Sequence, residues 1–178
     1  MNDFTVKSWI IGGKRVQLFI VNQKDHTHMA NSYVKNDVHI IFHVKSASVK
    51  IRKEDFQPVV QYIGGTIKGI GGTPFIIGGT GDHIHILTSV PPTRTLSVFV
   101  QNIKAESSRW IKTLDVHYRH FAWQEGYGAF SVSPSLIEKT VTYIQGQEEH
   151  HRKHTFQEEY KAFLDAYGIE YDDRYMVD

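Results

Sequence analysis

Between residues 37 and 132 the apolar residues change period in an order that few folds accept. Val38, Ile40, Phe42 and Val44 alternate with His39, Ile41, His43 and Lys45, the two-residue period of a strand with one buried face. Phe56, Val59 or Val60, Ile63, Ile67 and Ile70 then recur every three or four residues, which predicts a helix over 53–70 that Gly71-Gly72-Thr73-Pro74 ends. Phe75-Ile76-Ile77 and Ile84-His85-Ile86-Leu87 are short apolar runs on either side of Gly78-Gly79-Thr80-Gly81-Asp82, which reads as a hairpin loop. Thr95 can cap a helix over 96–113 that carries Leu96, Phe99, Val100, Ile103, Trp110 and Ile111 on its apolar side. Phe130-Ser131-Val132 is the last strand, Ser133-Pro134 opens another helix, and 155–167 reads as a short, charged one. Strand, helix, strand, strand, helix, strand, helix is the split β-α-β order. The expected fold is therefore α+β: a ferredoxin-like antiparallel sheet with helices on one face and a further C-terminal helix. Chemistry would sit on the open face of that sheet.

A chain of 178 residues, 40% of them apolar, can bury one sizeable core. With no cysteine there is no disulfide, no thiolate nucleophile and no Cys-based zinc site, so a metal would take His, carboxylate, amide or water ligands. No apolar run is long enough for a membrane span and no secretory leader is visible, which makes a cytoplasmic protein the expectation. The net charge of +1 hides an asymmetry: residues 1–147 carry 16 Lys and Arg against 10 Asp and Glu, residues 148–178 carry 4 against 9. A basic body with an acidic end hints at nucleic-acid contact by the body. Residues 1–28 read differently from the rest. Val16 to Val21 has strand character, but the polar stretch to His28 leads into Met29-Ala30-Asn31-Ser32, which looks like a second start. An extension and an edge hairpin turning at Gly12-Gly13 are equal alternatives on turn chemistry.

Asp82-His83-Ile84-His85-Ile86 is the sharpest local feature. On a strand, His83 and His85 project to one face and Ile84 and Ile86 to the other, so two imidazoles stand side by side and could share a divalent cation. Asp82 is placed to orient one of them. On the helix after Ser133-Pro134, Ile137, Val141 and Ile144 form the core stripe. At about 100° per residue, Tyr143 and Gln147 then fall one turn apart on a flanking face. Beside a metal, Tyr143 becomes a candidate nucleophile and Gln147 a candidate oxygen ligand, with His150 competing for that place.

These residues resemble a known family. His83-Ile84-His85 is similar to the histidine, hydrophobic, histidine (HUH) motif of single-tyrosine transposases, and Tyr143-Ile144-Gln145-Gly146-Gln147 to their nucleophile helix. The likeness extends through Tyr62 to Lys68, Phe121 to Ser133, and Phe156 to Asp172. The pattern resembles that of the repeat-associated tyrosine transposases and of the insertion-sequence enzymes that move as single-stranded DNA. The resemblance implies that His83, His85 and Gln147 bind Mg²⁺ or Mn²⁺ and that Tyr143 attacks the scissile phosphate. The product would be a 5′-phosphotyrosine and a free 3′-OH. It also implies a homodimer whose nucleophile helix can act on the partner's histidines, and single-stranded DNA hairpins or repeat ends as substrate. The chain then divides into an extension (1–28), a catalytic domain (29–154) and an acidic tail with a short helix (155–178).

Lys45, Arg52, Lys53, Lys104 and Arg109 are candidates to meet phosphates, and Trp123, Tyr127 or Tyr33 to stack unpaired bases. Two other functions stay open on the residues. One is a non-catalytic nucleic-acid-binding module on the same scaffold, although the Gly-Phe-x-Phe type aromatic strand of RNA-binding sheets is missing. The other is a metal phosphoesterase that uses water in place of tyrosine.

Overall fold

The computed structural model describes residues 5–11, 14–20, 33–152 and 155–172. Strands β1 (Thr5–Ile11) and β2 (Lys14–Ile20) pair antiparallel in a two-stranded sheet of their own, with Ile11 opposite Lys14. The suggested turn at Gly12-Gly13 and the suggested second start at Met29 lie outside the described residues.

The main sheet is built from β3 (Asp37–His43), β4 (Thr73–Thr80), β5 (His83–Ser89) and β6 (Gly128–Ser131) in the order β4-β5-β3-β6, each neighbour antiparallel. Helix α1 (Lys53–Gly69) connects β3 to β4 and α2 (Leu96–Ile111) leads from β5 towards β6. This is the ferredoxin-like α+β arrangement that the periods predict. Thr95 caps α2 by accepting a hydrogen bond from Val98 N at 3.4 Å. Val38, Ile40 and Phe42 of β3 and Ile84 and Ile86 of β5 bury against Val59, Ile63 and Ile67 of α1 and Phe99, Val100 and Ile103 of α2. Each such side chain contributes about 1.5–3 kcal/mol on leaving water. A one-residue slip of β5 would lose that burial and push His83 and His85 into the core, so register and histidine placement are set together.

Two features differ from expectation. Gly78 and Gly79 belong to β4, leaving only Gly81-Asp82 in the turn. The far face of the sheet is also not open. After a 3₁₀ turn at Pro134–Leu136, helices α3 (Ile137–Gln145), α4 (Gln147–His150) and α5 (Phe156–Ala166) lie across it. The reason is the composition of that face: Ile41, Ile76, Leu87 and Phe130 share it with the histidines and are too apolar to leave in water. Ile144 with Ile137, Val141 and Tyr143 covers Ile76 and Leu87, and Leu164 with Phe156, Tyr160 and Phe163 covers Ile41 and Phe130. Among the described residues no helix is long and apolar enough to cross a membrane.

Helix α3 sits so close on β4 that a Cβ at Gly78 would come within 2.9 Å of the Ile144 carbonyl oxygen. Gly78→Ala should therefore push α3 outward and cost about 1–3 kcal/mol in urea unfolding. An unchanged midpoint would show that α3 is not seated as described.

Candidate active site

The β5 histidines are held from behind. His83 Nδ1 lies 2.8 Å from Asp82 Oδ1 and 3.0 Å from Thr80 Oγ1, and Thr80 itself donates to Asp82 Oδ1 at 2.7 Å. His83 with Lys50 and Thr80 holds the Asp82 carboxyl well below the usual range against the opposing effect of burial, so it stays an ionised acceptor. The Nδ1 hydrogen of His83 is then drawn to Asp82, which leaves Nε2 directed at Gln147. His85 Nδ1 lies 3.0 Å from His39 Nε2. His85 Nε2 is buried without a hydrogen bond, 3.5 Å from Glu159 Oε2.

Three helices complete the group. Helix α3 ends at Gly146, so the expected continuous helix breaks, and Gln147 turns inward as the first residue of α4. Gln147 Nε2 donates to Glu159 Oε1 at 2.8 Å, which aims the amide oxygen at His83 Nε2, 3.3 Å away. Tyr143 at the end of α3 donates its hydroxyl hydrogen to Glu159 Oε1. His151 Nε2 lies 2.9 Å from Glu159 Oε2, and its ring is 4.3 Å from that of His83. His150 packs on the Tyr143 ring at 5.7 Å instead, so between the two expected rivals it is Gln147 that faces His83. Glu159 comes from α5, whose buried stripe it shares with Leu164.

The donor atoms suit a divalent cation. Ligand atoms of His83, His85, His151 and Glu159 lie within 4.8 Å of one another. His83 Nε2 and the Gln147 amide oxygen face each other at 3.3 Å, close enough for one cation to be held by both. The buried, unsatisfied Nε2 of His85 points the same way. Imidazole nitrogen with carboxylate and amide oxygen suits Mn²⁺ and heavier first-row ions, and is less oxygen-rich than the set Mg²⁺ prefers.

Burial governs the protonation states. It pushes His39 down to about 3 and His85 down to about 4, with Glu159 opposing the fall in both. Burial also pushes Glu159 up, but His85, Tyr143 and Gln147 together bring it well below the usual carboxylate range. Tyr143 is raised above an ordinary phenol, first by burial and then by Glu159. In the unfolded chain both histidines take up protons near 6.5, whereas in the folded metal-free protein they resist until about 3 and about 4. Stability is thus complete above pH 6.5 and lost as pH falls towards those lower values. Urea unfolding should show a loss on the order of 2 kcal/mol per histidine between about pH 7 and about pH 5. A flat profile would mean that these rings are not buried neutral.

The model of the family "Transposase IS200 like" matches residues 32–147, which include His83, His85, Tyr143 and Gln147. The chain belongs to the IS200-like transposase family. This IS200-like transposase resembles a candidate transposase of Deinococcus radiodurans R1, with a TM-score of 0.54 and 18% identity over 68% of this chain and 97% of that one. It also resembles a REP-associated tyrosine transposase solved bound to a REP hairpin, with a TM-score of 0.52 and 13% identity over 70% of this chain and 74% of that one. At such identities the likeness speaks for a shared fold. No curated protein sequence matches the chain.

The expected DNA-contact residues of this transposase are scattered. Trp123 is a core residue, packed on Phe42 and Phe121 with its indole N–H donating to Ser107 Oγ at 3.0 Å, and shows no face to an unpaired base. Lys104 donates to the carbonyl oxygens of Gln124, Glu125 and Gly126 at 2.6, 3.1 and 2.8 Å and so braces that loop. Arg52 binds Asp55 at 2.8 Å and Asp115 at 3.3 Å. Arg109 pairs with Glu106 at 2.8 Å on α2, across the sheet from the histidines. Lys45 meets Glu125 at 3.6 Å and Lys53 meets Glu148 at 3.4 Å, the latter beside Gln147. Exposed pairs of this kind are worth about 0–1 kcal/mol, weak enough for a phosphate to exchange into.

Proposed function

We propose that this transposase is a metal-dependent, single-stranded DNA endonuclease and strand transferase that acts through a 5′-phosphotyrosine on Tyr143. The observation that carries the reading is the convergence, within one chain, of the Tyr143 hydroxyl with His83, His85 and Gln147 on one buried point. His83, His85 and Gln147 would hold Mg²⁺ or Mn²⁺, with His151 and Glu159 near enough to share in it. A bound cation would supply polarisation of the scissile phosphate.

The chain's own residues do the rest. In the free protein Glu159 holds both the phenol and the Gln147 amide in place, while Asp82 holds His83. Tyr143 gives up its hydroxyl hydrogen and forms the new oxygen–phosphorus bond, the bond from phosphorus to the 3′ oxygen breaks, and that oxygen takes up a hydrogen to leave as a 3′-OH. The phosphodiester energy is retained in the phosphotyrosine, so rejoining needs no nucleotide cofactor. Lys45 and Lys53 are the basic side chains we place against the DNA backbone. A hairpin or repeat end is the substrate class, supported by the REP hairpin carried by one structural neighbour. A homodimer agrees with the family pattern, although Tyr143 already reaches the histidines of its own chain.

The test is incubation with single-stranded DNA spanning the repeats or ends that flank its gene, with Mg²⁺, Mn²⁺ or EDTA, followed by mapping of the cut and of any protein adduct. A cut that needs the metal and a denaturation-resistant tyrosine adduct are expected. Metal-dependent cutting without an adduct would favour the water-using phosphoesterase, and hairpin binding without cutting the non-catalytic module.

A further inference from the structure

We infer that His39 is a positioning residue that sets the tautomer of His85 and thereby decides whether His85 can bind a cation. The inference rests on the reading of His83 and His85 as ligands. An imidazole ligates through a nitrogen that carries no hydrogen, so a neutral ligand ring must hold its hydrogen on the other nitrogen. His83 has no choice, because its Nδ1 faces the acceptor-only carboxylate of Asp82 at 2.8 Å. His85 is different. Its Nδ1 faces another imidazole, Nε2 of His39, at 3.0 Å, and only one hydrogen fits between them.

Two arrangements follow. With that hydrogen on His39, His85 carries its own on Nε2, pointing at Glu159 3.5 Å away, and offers no lone pair to a cation. With the hydrogen on His85 Nδ1, His39 Nε2 accepts it and holds its own hydrogen on Nδ1, while His85 Nε2 presents a lone pair to the group. Each ring bears one hydrogen in both arrangements, so the exchange takes up and releases no proton. Only the second arrangement can ligate.

His39 is well placed for this. It is 2% exposed. Its ring stacks on that of His85 at 5.2 Å and is met edge-on by Phe163 at 5.2 Å and Tyr143 at 6.3 Å. The register that puts Ile41 opposite His85 makes His39 its diagonal neighbour on the same face. Partners that orient a ligating histidine typically change metal affinity about 10–100-fold when removed.

Calorimetric titration of the full chain with Mn²⁺ should therefore show a loss of about that size in His39→Phe, which keeps the packing and removes the acceptor. His39→Gln, whose amide oxygen can accept, should recover most of it. Long-range ¹H–¹⁵N correlation spectra of the Mg²⁺-loaded wild type should place the His85 hydrogen on Nδ1. Mn²⁺ binding by His39→Phe equal to wild type, or a His85 hydrogen on Nε2 in the loaded protein, would overturn the inference. The spectra decide it even if His39→Phe does not fold. His83→Ala and His85→Ala titrated alongside separate the two readings: if both bind Mn²⁺ as wild type does, the ligand assignment itself has failed.

Discussion

Tyr143→Phe is expected to leave a folded, hairpin-binding protein that cuts at least roughly three orders of magnitude more slowly and forms no covalent adduct. Phenylalanine fills the same space against Ile76 and Leu87, so the seat of α3 is retained. The change removes one hydrogen bond to an ionised carboxylate, worth about 1.5–3 kcal/mol, but Glu159 keeps its contacts to Gln147 at 2.8 Å and His151 at 2.9 Å. Stability should fall modestly and chemistry almost completely. A gel under denaturing conditions with end-labelled single-stranded DNA reads the result. Any adduct formed by Tyr143→Phe would remove this residue as the nucleophile.

The second large effect concerns the cation. Replacing both His83 and His85 by Ala should abolish Mn²⁺ binding in calorimetry and cutting in the same assay, while a gel shift with a hairpin stays close to wild type. The gel shift matters because both rings are fully buried. Their loss strips Asp82 and His39 of partners and should also lower stability by a few kcal/mol. Retained hairpin binding would show that loss of cutting is not loss of fold. Undiminished cutting would refute the metal role.

The main lines of the fold were legible because Val38, Ile40 and Phe42 on β3 and the stripe of α1 keep strict periods over a deep core. His83 and His85 share a face as the strand period predicts, whereas Gln147 comes to the same group as Tyr143 only through the break at Gly146. What escaped were contacts made across elements. His39 alternates correctly on β3, but its meeting with His85 depends on the β3–β5 register. Glu159 was hidden in a helix that composition marks as an acidic tail. Its signal was local, since it lies three residues from Phe156 and four from Phe163 on the covered side, where an unpartnered carboxylate would be costly. His151 follows a break at Gly146 that a continuous helical wheel does not show. Trp123 went the other way: an aromatic followed by Gln124 and Glu125 in sequence packs into the core.

Glu159 gives the site a resident anion. On the function proposed above, a DNA phosphate that reached Tyr143 would take the place of a carboxylate already bonded to the phenol, to Gln147 and to His151. One negative group would then replace another, so the net charge of the pocket would hardly change. The cost of the exchange would lie in lifting Phe156, Tyr160, Phe163 and Leu164 from Ile41 and Phe130. Apparent affinity for the strand would then scale with the fraction of molecules in which α5 has stepped aside. Selectivity would then reside in that step, with only those strands that offset the lost apolar contact gaining the nucleophile.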